Sequence, residues 1–248
     1  DNRNVADRLG SVRELLLSGR YEEGTQLGDD TFGLSGGAKA KPREDPYQPA
    51  GDLFIEFSHP CHSDYRRELD LVDGIVKTSY EAGRCQYRRE TLAHFRDDMI
   101  LVRLSCVQHG ELVPFTCRLW LDRVVDPHCK IERAAEEHAL RLDGSFGSGI
   151  TFTIRADIMA HGPRTTLRPD GHRLDVYDAT EIIVALDIGT NASGDAPDAE
   201  CTHAGSYATT WSDTLESHRA AYSLYRGMEL DLPLPDPGSP TDERIRTI

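Results

Sequence analysis

Apolar side chains recur along this chain with two different periods. Near the start, Val5, Leu9, Val12 and Leu16 fall at helical spacing and stop at Ser18-Gly19, which predicts an amphipathic helix with a glycine end. A short helical turn is expected next at Tyr21, Glu22 and Glu23. The Gly, Pro, Lys and Asp content of 25–49 then reads as a long irregular segment. From Gly51 the period becomes two: Leu53, Ile55 and Phe57 alternate with Asp52, Phe54 and Glu56, and Ile100, Val102, Leu104 and Cys106 alternate with Leu101, Arg103 and Ser105. Such alternation predicts strands with one strongly buried face.

Further strands are predicted at 75–80, 86–93, 113–120, 139–142, 150–158, 173–177 and 181–188, with turns at 81–84 and 169–171. In 150–158 the apolar Ile150, Phe152, Ile154, Ala156 and Ile158 oppose Thr151, Thr153, Arg155 and Asp157. Helical text returns at Asp213, where Glu216 three residues on forms an expected capping box, and Leu215, Tyr222, Tyr225 and Met228 mark an apolar stripe. A proline-rich, linker-like tail follows. Roughly nine strands with little helix between them predict a mainly β fold: an antiparallel two-sheet super-β-sandwich with an N-terminal helix and a C-terminal helical linker. The expected organisation is 1–46 as an N-terminal helix and irregular segment of the same domain, 47–210 as the sandwich, and 211–248 as a linker leading to an absent catalytic domain.

Composition narrows the partners. Lys and Arg number 28 against 42 Asp and Glu, a formal charge of -14, which repels a phosphate backbone and argues against nucleic acid. No apolar run approaches the roughly 20 residues that cross a bilayer, so no membrane segment is expected. The first four residues carry neither a basic start nor an apolar signal core, so the chain is expected to begin inside a mature protein or a domain. The six cysteines contain no Cys-x-x-Cys pair, and Cys106 and Cys117 read as small buried hydrophobes.

Chemistry-bearing motifs are sparse. No phosphate-binding or serine-hydrolase motif occurs, and the glycines of 144–149 read as a turn. His59, Cys61, His62 and Asp64 form the one close group of metal-ligand types. With no further ligand at a suitable spacing they read as a polar loop, and no metal or cofactor is expected. Asp52 and Glu56 share one strand face and Glu68 and Asp70 another. Among 42 acidic residues such pairs arise by chance, and these four are expected to be solvated or bonded to nearby arginines. Of the aromatic residues that could stack on sugar rings, Trp120 reads as core. Trp211 reads as an anchor of the capped helix, and Tyr65, Tyr80, Tyr87 and Tyr207 are scattered. The residues therefore nominate no catalytic group, and the substrate-binding positions stay unassigned.

Several stretches in fixed order carry a resemblance. Tyr47-Gln48-Pro49-Ala50-Gly51-Asp52-Leu53 precedes the first strand. Tyr65-Arg66-Arg67-Glu68-Leu69-Asp70-Leu71 and Tyr87-Arg88-Arg89-Glu90 follow, and Trp211, Leu215, His218 and Pro240-Thr241-Asp242-Glu243-Arg244 lie downstream. In this order they resemble the N-terminal β-sandwich of glycoside hydrolase family 95, whose best-known members are α-L-fucosidases. The resemblance implies a non-catalytic sandwich and a C-terminal (α/α)6 barrel as partner. It also implies a parent that hydrolyses terminal α-L-fucosyl linkages with inversion, and fucosylated oligosaccharides as ligands. The alternative is a carbohydrate-binding module with its own sugar groove. Strands with which that family opens have no counterpart before Asp1, which leaves sheet edges to be covered by a neighbour or a second copy.

Overall fold

A computed structural model describes residues 6–32, 48–59, 61–94, 96–194, 196–197, 201 and 210–223. Val5, Tyr47, Tyr207, Tyr225, Met228, the tail beyond Ser223 and most of the irregular segment before Pro49 lie outside the described residues. The chain divides into two compact units, Asp1–Gln48 and Pro49–Ile248.

In the first unit a 3-10 turn at Ala6–Arg8 leads into α1 (Leu9–Leu17), and α2 (Tyr21–Phe32) follows. Twelve residues of α2 stand where the sequence suggested one turn followed by irregular chain. Its glycines mislead. A Cβ on Gly24 would lie 2.7 Å from Leu16 Cδ2, so here glycine permits two helices to touch rather than ending one. Of the predicted stripe on α1, Val12 is buried while Leu9 and Leu16 remain exposed.

The second unit is the two-sheet antiparallel sandwich. Its smaller sheet has the order β1 (Asp52–Phe57), β7 (Phe115–Asp122), β12 (Arg173–Ala179) and β11 (Thr166–Asp170). The larger runs β2 (Ser63–Asp70), β3 (Ile75–Ala82), β4 (Cys85–His94), β5 (Met99–Gln108), β13 (Glu181–Thr190), β10 (Thr151–His161), β9 (Ala139–Phe146) and β8 (Cys129–Ala135), with the short β6 (Glu111–Leu112) paired to β5. All pairings are antiparallel among the described residues. The sequence pattern missed β6, β8 and β11, and of β2 it showed only the shared strand face of Glu68 and Asp70. Strands β2, β8 and β11 are edge strands, and all four bury little, so the apolar alternation that marks a strand is absent from them.

Between the sheets lies one apolar layer. Phe115, Cys117, Leu119 and Leu121 of β7 and Leu174 and Val176 of β12 meet Val102, Leu104 and Cys106 of β5, Leu140 and Leu142 of β9, Ile154 and Ala156 of β10, and Ile182 and Val184 of β13. Cys106 and Cys117 are buried here as expected; burial pushes both thiols up to about 12, so neither is a ready thiolate. Gly144 sits within β9, where a Cβ would fall 2.1 Å from the Phe152 ring, and the turn is confined to the residues after Phe146.

The second face of the large sheet is also partly apolar. On β5, Leu101 is fully buried while Ile100 is 41% exposed, contrary to a strand with one buried face. The reason is α3 (Trp211–Tyr222), which places Trp211 over Ile75, Leu92, Met99, Leu101, Ile183 and Ala185. Its N-cap is Thr210, whose hydroxyl accepts from the Asp213 backbone N–H; the capping pair is Thr210 and Asp213, one turn earlier than the predicted Asp213 and Glu216. At the other end Arg219 pairs with Asp73, and the Tyr222 hydroxyl donates to the Leu71 carbonyl at 3.2 Å. Gly74, at φ +65, lies against the Tyr222 ring, where a side chain would collide at 2.9 Å. The helix thus crosses the sheet from β13 and β5 to the β2–β3 turn.

Truncating Leu101 to Ala is expected to cost about 2–5 kcal/mol and truncating its neighbour Ile100 less than about 1 kcal/mol, measured by urea unfolding. Equal costs would show that α3 does not seal this face.

Candidate functional site

Register places three rows of side chains on the outer face of the large sheet. The first row is the apolar one under α3. One step along the strands, Glu68, Lys77, Glu90 and Arg103 stand side by side on β2, β3, β4 and β5. The next step gives Arg66, Ser79, Arg88 and Ser105. These two rows, with Gln86, Val107 and Leu112, line a groove of about 490 Å³.

The middle row closes on itself. Arg103 donates to Glu90 at 2.8 Å and to Glu181 at 2.7 Å, and Lys77 donates to Asp70 at 2.8 Å. These contacts raise the Arg103 and Lys77 affinities for their protons and hold Asp70 below the usual carboxylate range. Arg103 also lies 5.8 Å from the Trp211 ring centre, tying the groove wall to α3. The third row is less balanced. Arg66 reaches Glu68 at 2.6 Å from a side chain 75% exposed, whereas Arg88 donates to the neutral Gln86 amide oxygen at 2.7 Å. Glu68 is thus bonded to an arginine as expected, whereas Asp70 is bonded to Lys77, and the two do not stand as an acid–base pair over an open cleft.

The remaining sequence candidates lie elsewhere. Trp120 is not in the core: with Phe115, Cys117, Leu119 and Leu121 pointing inward, it shares the outward face of the small sheet with Arg118. Its parity with those core residues was legible and outweighs its size. Phe54 stacks on it at 5.1 Å and 5°, and the Arg173 guanidinium lies 4.9 Å from its ring centre. Both ring faces are therefore covered, which leaves no face to stack on a sugar. Arg118, opposite Glu56, forks onto Asp175 at 2.5 and 2.8 Å, and Asp52 is exposed. Tyr80 and Tyr87, paired across the β3–β4 hairpin, stack at 5.4 Å, and burial pushes both phenols up to about 12. His59 packs on them, 4.5 Å from Tyr87, and burial lowers its proton affinity. His62 touches Tyr80 from the exposed side, and Cys61, Asp64 and Tyr65 are exposed. Among the described residues no three His, Cys, Asp or Glu side chains gather for a metal ion.

The family profile described as glycosyl hydrolase family 65, N-terminal domain, matches residues 1–195. The chain belongs to this family of N-terminal domains. That match corrects the family 95 resemblance. The residues that carried it include sandwich strands such as β2 and β4, whose pattern reports sheet packing and does not separate one hydrolase family from another. A curated relative, "Alpha-L-fucosidase 2" of Arabidopsis thaliana, is 35% identical over 115 residues, which are 45% of this chain and 13% of the relative. Only a small part of that relative's length is therefore spanned. A solved structure named "Putative kojibiose phosphorylase from human microbiome" aligns with 69% of this chain and 24% of its own, at 11% identity and a TM-score of 0.45. No helix among the described residues of this family 65 N-terminal domain is long and apolar enough to cross a membrane.

A buried histidine lies beneath the seat of α3. His94, on β4, is buried against His218 at 5.8 Å between ring centres, with its Nδ1 3.0 Å from Asp97. Burial pushes the His94 proton affinity down, Asp97 pulls it up, and His218 and Arg96 push it down again, for a net lowering. The unfolded chain then binds the proton more tightly, so His94 contributes full stability above about pH 6.5 and loses it as pH falls below that. The urea midpoint should fall between pH 7 and pH 5, with a shallower slope in His94→Gln; parallel slopes would remove His94 from the account.

Proposed function

We propose that this chain is the non-catalytic N-terminal β-sandwich of a glycoside hydrolase that removes terminal α-L-fucosyl units. Its work is to hold and orient a following catalytic domain of (α/α)6-barrel form. The observation that carries this reading is the clamping of α3 onto the large sheet. Trp211 is buried at one end, His218 Nε2 sits 2.9 Å from the Asp73 carbonyl oxygen, and Tyr222 is fixed to Leu71 at the other. A helix seated this way gives whatever follows residue 223 a fixed point of departure. That matters because domains joined by a loose linker move freely unless an interface holds them.

Family membership supports a carbohydrate-active parent, and the Arabidopsis relative supports fucose as the sugar. The paired acidic residues described above are consumed in ion pairs or exposed on strand faces, which fits a sandwich that leaves bond cleavage to another domain.

The test compares the full-length gene product with the 248-residue chain on an aryl α-L-fucoside. Hydrolysis by the full-length protein and none by the chain is expected, with no heat on titrating the chain with fucose. Turnover by the chain, lost on changing one of its carboxylates, would place the chemistry here instead; saturable fucose binding would make it a sugar-binding module.

A further inference from the structure

Resting on that reading, we infer that the basic groove of the large sheet is the docking surface for an acidic patch of the catalytic domain following α3, with Arg88 as its central contact. Three observations converge on it.

The first is placement. The groove and α3 occupy the same face of the same sheet, one row of side chains apart, and Arg103 belongs to both through its contact with Trp211. The helix ends at the β2–β3 turn, where Tyr222 bonds Leu71, and β2 and β3 form one wall of the groove. A chain continuing from there starts at the border of the groove.

The second is charge. The protein as a whole carries -14, yet Arg66 and Arg88 lie two strands apart in one row, separated by Ser79. The neighbouring row offers Glu68 to Arg66 at 2.6 Å and no carboxylate to Arg88, because its Glu90 is held by Arg103 and its Lys77 is taken up with Asp70. Arg88 bonds a neutral amide. A guanidinium offers a planar fork that fits a carboxylate with two parallel hydrogen bonds, and such a pair strengthens when a partner covers it and excludes water. A basic patch on an otherwise acidic surface also selects an acidic partner and sets its orientation.

The third is the character of the lining. The described residues of the groove are guanidinium, ammonium, hydroxyl, amide and carboxylate groups, with Val107 and the 47% exposed Leu112 at one end. None of them is aromatic, so the ring faces on which sugars stack are lacking, while a small apolar lip beside polar groups suits a protein partner. Ser105, buried at the floor, is a hydroxyl that a docked carboxylate or amide can engage.

The test is calorimetry on the full-length protein, comparing wild type with Arg88→Glu and with Arg168→Glu on the opposite sheet. Docking predicts that Arg88→Glu lowers or splits the sandwich transition by roughly 4 °C or more, that Arg168→Glu does not, and that high salt moves wild type the same way. The 248-residue chain, with nothing docked, should unfold alike with and without Arg88→Glu. An unchanged full-length endotherm overturns the docking surface, as does an equal shift in the 248-residue chain, which would make Arg88 a folding residue only. Binding of a sulfated or uronic oligosaccharide by the full-length protein, lost in Arg88→Glu, reassigns the groove to a saccharide. Fucoside hydrolysis is measured on the same samples: its absence would sink the proposed activity and leave the calorimetric answer standing.

Discussion

The apolar layer between the two sheets is the constraint on which the rest depends. Leu119, Leu121, Leu140, Leu142, Leu174 and Ile182 are each at most 2% exposed, and they come from β7, β9, β12 and β13. Because strand side chains alternate, fixing these residues inward fixes every neighbour outward. Trp120 is set on the outer surface by Leu119 and Leu121, and Ser105 and Arg103 by Leu104 and Cys106. A one-residue slip in any of these strands would exchange core for groove, so the geometry of the polar surface rests on the packing of the apolar one.

Unequal sheet size creates the second demand. A four-stranded sheet opposes a much wider one, and the outer face of the wide sheet carries its own apolar row of Ile75, Leu92, Leu101 and Ala185. Water contact along that row would be unfavourable at roughly 25 cal/mol per Å² of apolar surface. The helix α3 removes it with Trp211, and its ends are then fixed by polar contacts to the loop at Asp73 and Leu71. Burying His94 of β4 against His218 of this helix, with the His94 proton affinity lowered by burial, links the seat of α3 to proton concentration. Where α3 stops, the same face turns polar, and the charged rows of the groove begin.

Period-two alternation in β7 and β10, the continuous apolar run of β13, the hairpin turns at Gly83 and Gly171, and an apolar anchor at Trp211 were legible in the sequence because each is a local pattern set by what its side chains meet. The edge strands β8 and β11 were not legible, and β2 was so only at Glu68 and Asp70, since a strand that buries little leaves no apolar period to read. The helix α2 was hidden for a related reason. Gly24 lowers helix propensity, and only the neighbouring Leu16 shows that its smallness serves contact. Family was misassigned where the matching motifs lay in strands that any such sandwich must build.

By itself the sequence determined the mainly β class, the inward residues of the central strands and the lack of a nominated catalytic group, all from composition and spacing along one chain. Tertiary structure alone decided the groove. Arg66, Lys77, Arg88 and Arg103 are separated by up to 37 positions, as their numbers show, and only antiparallel register sets them in adjoining rows. Which of them is neutralised depends on carboxylates brought from other strands, Glu181 above all. Charge compensation is a property of distance in space, and linear order does not encode distance until the sheet is formed.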